Sequence, residues 1–77
     1  MQKFRNVEME MGRGNGYGQY YVKAHYRGKD IKAHTTNSEA WDYFNNDEYT
    51  KEDKEKHRDA LRHCYCKIVS EYNKLYK

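Results

Sequence analysis

At 77 residues, with no proline, 35% charged side chains and a net charge of +3, the chain has room for one domain and one thin core. No apolar run is long enough to span a bilayer and no signal-peptide pattern opens the sequence, which argues against a membrane-spanning or secreted protein and for a cytoplasmic setting. The cationic excess is too small to identify a nucleic-acid partner, since solvated helices are rich in lysine anyway.

The first distinctive stretch is GRGNGYG, residues 12–18, with a glycine at every second position. No register matches the G-x-G-x-x-G dinucleotide fingerprint, and the Gly-Lys-Ser/Thr ending of a phosphate loop is missing. Asn15-Gly16 is instead a strong signal for a two-residue hairpin turn. Pairing outward from it sets Met11 opposite Tyr20, Met9 opposite Val22 and Val7 opposite Ala24, all on one apolar face, with Glu8 meeting Lys23 on the other. Tyr17 opposite Gly14 and Arg13 opposite Gly18 would cover the gaps left by glycine. Arg13 and Tyr17 thus mark a projecting finger suited to touching a partner.

YRGKD places a second two-residue turn at Arg27-Gly28. Ala24 then faces Ile31, Val22 faces Ala33 and Tyr20 faces Thr35, again on the apolar face. The opposite face pairs His25 with Asp30, Lys23 with Lys32 and Tyr21 with His34. The two turns predict a three-stranded antiparallel meander over residues 3–12, 18–27 and 29–35, with the middle strand central.

Two helices follow. Thr36-x-x-Glu39 has the form of a capping box ahead of Ala40, Trp41 and Phe44, and predicts a short helix over 37–46. From Thr50 onward, Leu61, Cys64, Ile68 and Leu75 recur at helical spacing, with Tyr65, Val69, Tyr72 and Tyr76 in a second line beside them. They predict a long helix over 51–76, about 39 Å at 1.5 Å per residue, which should overhang the strands it covers. The expected fold is α+β, one domain of β-β-β-α-α order. Leu61, Cys64, Ile68 and Leu75 are expected on the sheet. The short helix is too small to cover the second line, so Tyr65, Val69, Tyr72 and Tyr76 are expected to serve self-association, with a homodimer as the outcome.

Charge is distributed in blocks: +4 over residues 1–36, −4 over 37–49 and +3 over 50–77. On the sheet, Tyr21, Lys23, His25, Lys32 and His34 share the outward face, with Arg27 and Lys29 at the turn. A basic face edged by an aromatic ring suits phosphate contact with stacking. On the long helix Lys56, His63, Lys67, Ser70, Lys74 and Lys77 form a solvated face. Chemistry is sparse. His25 and His34 lie two rows apart, about 14 Å at 3.4 Å per residue, and His63 with Cys66 makes half of a metal site at most. His25 opposite Asp30 has the form of a catalytic relay without a nucleophile. Cys64 and Cys66 point to different sides of a helix and cannot readily bond to each other. No enzyme, cofactor or metal is therefore expected.

The segment YYVKAHYRGKDIKAHTTNSEAWDYF, residues 20–44, resembles the strand–turn–strand–helix unit of arm-type DNA-binding domains of phage integrases and of the plant ethylene-response DNA-binding fold. The match runs through Tyr20, Tyr21, Gly28, Lys29, Thr36, Glu39 and Ala40. The resemblance implies an exposed sheet face entering the major groove, here Lys23, His25, Lys32 and His34. The whole-chain plan, a sheet followed by helices, is similar to small phage-encoded anti-CRISPR proteins, some of which block a nucleoprotein by covering its surface. The leading expectation is a non-enzymatic phage or mobile-element accessory protein that blocks a host protein or nucleoprotein complex. DNA binding through the sheet face and a self-associating structural module are the alternatives.

Overall fold

The computed structural model describes residues 2–46, 52, 55 and 57–76. Four antiparallel strands in the order β1 (Gln2–Phe4), β2 (Val7–Arg13), β3 (Tyr20–Tyr26) and β4 (Lys29–Thr35) form one meandering sheet. Helices α1 (Ser38–Phe44) and α2 (Arg58–Leu75) follow and pack on one face of it. The architecture is α+β, as expected, but the sheet has four strands rather than three.

The extra strand arises at Arg5-Asn6, which turn the chain at φ 51° and 65°, the left-handed pair that a two-residue hairpin requires. In a continuous strand over 3–12, Phe4 and Val7 would point to opposite faces. The turn sets them opposite each other, on the same face, and buries Phe4.

The β3–β4 hairpin follows the expected register, with Ala24 opposite Ile31, Val22 opposite Ala33 and Tyr20 opposite Thr35. Arg27 and Gly28 turn it at φ 49° and 80°. The β2–β3 register is two residues away from the expected one: Met9 faces Ala24, Met11 faces Val22 and Glu10, not Glu8, faces Lys23. The loop is longer than an Asn15-Gly16 turn. Gly14 N–H donates to Gln19 O at 3.0 Å, Gln19 N–H donates to Gly16 O at 3.1 Å, and the left-handed residue is Gly18 at φ 70°. A slip of two residues leaves every side chain on its own face, so Met9, Val22, Ala24, Ile31 and Ala33 are still buried beneath the helices. Neither Tyr17 nor Arg13 covers a glycine as expected. Tyr21 does, its ring lying over Gly12 where a Cβ would collide with it.

Helix α1 is capped by Asn37 rather than Thr36: the Asn37 side chain accepts from Ala40 N–H at 2.8 Å. Its buried aromatic residue is Tyr43, while Trp41 and Phe44 are half-buried. Helix α2 is capped at His57, which is not helical; the expected start at residue 51 lies outside the described residues, of which Glu52 and Glu55 are helical. Ala60, Leu61, Cys64 and Ile68 bury against the sheet. Eighteen residues make a helix of about 27 Å, whereas a seven-residue strand spans about 24 Å. Leu75, at the C-terminal end of α2, is 58% exposed, so it leaves the core line to which its spacing assigned it.

Candidate partner-binding surfaces

The outward face of the sheet is a balanced charge lattice rather than a basic one. The register places Lys3, Lys23 and Lys32 there against Glu8, Glu10 and Asp30, with His25 and His34 among them. Lys23 Nζ lies 2.7 Å from Glu10 Oε1 and Lys3 Nζ lies 3.8 Å from Glu8 Oε1. The Glu10 carboxylate raises the Lys23 pKa above its usual value through hydrogen bonding and charge. His25 Nδ1 is 2.9 Å from Asp30 Oδ1, the pairing expected from the turn. Lys32 instead lies over the Tyr21 ring, 4.2 Å from its centroid. His34 is exposed. Tyr21, Lys23, His25, Lys32 and His34 therefore share one surface, but of its lysines Lys3 and Lys23 lie against carboxylates and Lys32 over a ring.

Arg13 and Tyr17 do not form a joint finger. Tyr17 stands free at the loop tip, fully exposed. Arg13 belongs to the helix-side face, where it opposes Tyr20. Trp41 from α1 stacks on Tyr20 with centroids 5.0 Å apart and planes at 14°. The Arg13 guanidinium carbon then lies 5.0 Å from the Trp41 ring centroid.

The two short turns, Arg5-Asn6 and Arg27-Gly28, lie at the end of the sheet opposite that loop. Aromatic rings from three elements meet there. Tyr26 on β3 meets Tyr65 and Tyr72 of α2 edge-on, at centroid distances of 6.0 and 5.2 Å. Phe4 on β1 meets Tyr65 at 5.7 Å, and Tyr72 meets Tyr76 at 5.2 Å. Cations sit over these rings: Arg5 over Phe4 and Tyr65, Arg27 over Tyr26 and Tyr72, and Lys29 over Tyr76. A hydrogen bond with Tyr26 and burial raise the Tyr65 pKa, while the charges of Arg5 and Arg27 oppose the rise.

Two sets of side chains stand out. Lys3, Lys23 and Arg62 lie against carboxylates, as does the His25 imidazole. Arg5, Arg13, Arg27, Lys29, Lys32 and Arg58 lie over aromatic rings, and among the described residues none of the six forms an ion pair. A guanidinium flat on a ring keeps its in-plane N–H donors available to an anion. Sequence reasoning reached Arg27 and Lys29 but missed Arg5, Phe4 and Tyr26 as parts of one surface. The available signal was Asn6, a residue that tolerates positive φ, two positions past Phe4.

The proposed self-association stripe is partly consumed within the fold. Tyr65 and Tyr72 pack on Tyr26 of β3, and Tyr65 also on Phe4 of β1, the strand absent from the expected topology. Val69 is half-buried, and Tyr76 with Leu75 is left exposed. His63 also departs from expectation. It is not on a solvated face: Nε2 lies 2.6 Å from Thr35 Oγ1, and burial, helped by Lys67, lowers its pKa. Cys64 is fully buried and its thiol is pushed up to about 11, while Cys66 is exposed. Among the described residues no three His, Cys, Asp or Glu side chains converge on a common metal position, and no helix is long and apolar enough to cross a membrane.

No family model matches the chain, and neither the curated proteins nor the solved structures contain a match to it.

Proposed function

We propose that this chain is a non-enzymatic binding protein that covers part of a host nucleoprotein, in the manner of the small phage-encoded inhibitors its plan resembles. The observation that supports this most is the set of six cations laid over aromatic rings and, among the described residues, without carboxylate partners. Such groups are held in place by stacking yet keep hydrogen-bond donors for an acidic surface. Duplex DNA contact through Lys23, His25, Lys32 and His34 has less support, because Glu10 and Asp30 already engage Lys23 and His25.

Immobilised protein incubated with bacterial lysate, with and without nuclease, tests the proposal. A defined protein partner should be retained, accompanied by nucleic acid when nuclease is omitted. Retention of nothing beyond what a small unrelated protein of similar net charge retains would remove it.

A further inference from the structure

We infer that the end of the sheet bearing Arg5, Arg27 and Lys29 is a contact site for single-stranded nucleic acid, with the cations on phosphates and tyrosines of α2 receiving bases. It rests on the binding role proposed above and names the part of the partner that this surface meets.

Four observations converge here. Arg5 and Arg27 each occupy the first position of a two-residue turn at positive φ, 51° and 49°, where Asn or Gly is favoured and arginine is strained. Strain of this kind, repeated at two independent turns, points to a use for the side chain rather than for the backbone. Both guanidinium groups lie over rings of one contiguous cluster, 5.5 Å from the Tyr65 centroid for Arg5 and 5.8 Å from the Tyr72 centroid for Arg27. Lys29 extends the cationic line to Tyr76, 5.2 Å away. Among the described residues no carboxylate forms an ion pair with any of the three.

The class of ligand follows from the mixture. Phosphate explains cations with free donors, but an acidic peptide would have no use for the adjoining rings. Tyr76 is 43% exposed at the C-terminal cap of α2, and Tyr72 beside it is half-buried. Exposed rings beside phosphate-binding cations suit unstacked bases, which a duplex does not present.

The test uses fluorescent oligothymidine and oligouridine of about 12 nucleotides, a duplex of equal length and a polyglutamate peptide. Both single strands, or one of them, should bind more tightly than the duplex and the peptide. With three phosphate contacts the affinity should fall with salt at a log–log slope of about −2, near −0.7 per contact. The double substitution Arg5→Asn, Arg27→Asn places residues that accept the left-handed turn, so the fold is retained while the cations are lost. It should weaken binding roughly tenfold or more and flatten the slope to about −0.7. Tyr76→Leu should weaken binding with the slope unchanged, a result that charge alone would not produce. Absence of binding by either single strand, equal binding by the double variant, or equal binding of polyglutamate would overturn the inference. If the double variant binds the single strands as tightly as the parent does, and both retain the protein partner from nuclease-treated lysate, the binding role stands and this site does not.

Discussion

Thr35 Oγ1 and His63 Nε2 lie 2.6 Å apart and tie the end of β4 to α2. The same hydroxyl oxygen accepts from Asn37 N–H at 3.2 Å, and Asn37 in turn caps α1. One buried threonine therefore links the sheet to both helices. Thr35→Val keeps the shape but strands both partners, and should cost about 1–3 kcal/mol in urea unfolding.

The same pair makes stability depend on pH. The folded His63 pKa is depressed, chiefly by burial, so above the unfolded value near 6.5 both states are neutral and this contribution is fully present. As pH falls below that value the unfolded chain takes up the proton first, and stability is lost down through the folded pKa. Denaturation midpoints at pH 7.5 and 5.5 (about one unit either side of the unfolded value) should show a loss that shrinks in His63→Gln. An equal loss in the variant would assign the dependence to other groups.

The turn at Arg27-Gly28 offers a paired comparison. Arg27→Asn relieves a left-handed arginine, worth about 1 kcal/mol, but removes stacking worth about 0.5–1 kcal/mol. Its stability should stay within about 0.5 kcal/mol of the parent. Gly28→Ala meets open space yet forces a side chain to φ 80°, and should cost about 1 kcal/mol or more. Thermal unfolding of the two variants checks both values.

The cysteines should differ sharply in reactivity. Cys64 is buried, with its thiol pKa raised to about 11, so little thiolate is available and no reagent reaches it. Cys66 is exposed on the next face. Iodoacetamide under native conditions should add a single label, located at Cys66 by peptide mass spectrometry, with the second added only in denaturant. Equal labelling of the native protein would show that the α2 core contact opens readily.

Burial along α2 predicts an uneven response to truncation. Ile68 is fully buried, and Ile68→Ala should cost about 2–5 kcal/mol. Leu75 shares the helical spacing but is exposed, so Leu75→Ala should stay within about 0.5 kcal/mol. Unfolding of the two variants in parallel measures the difference.

Alternation and turn residues alone were enough to sort β2, β3 and β4 onto the correct faces, because face depends only on parity and survives a register slip of two residues. They also identified the Arg27-Gly28 turn, the His25–Asp30 pairing and the buried line Leu61, Cys64 and Ile68. Tertiary structure decided what local signals could not. Arg5-Asn6 became a turn because it brings Phe4 to the helix side of the sheet, a gain realised only when Tyr65 is there to meet it. Leu75 left the core line although its helical period matches Leu61, Cys64 and Ile68, because burial depends on what faces a position and not on period alone. Thr35 drew His63 from the expected solvated face, since a buried hydroxyl at the strand end needs a partner. The uncompensated cations of the turn end were invisible for the same reason: Arg5, Arg27 and Lys29 are separated along the chain, and only the folded sheet sets them beside the tyrosines of one helix.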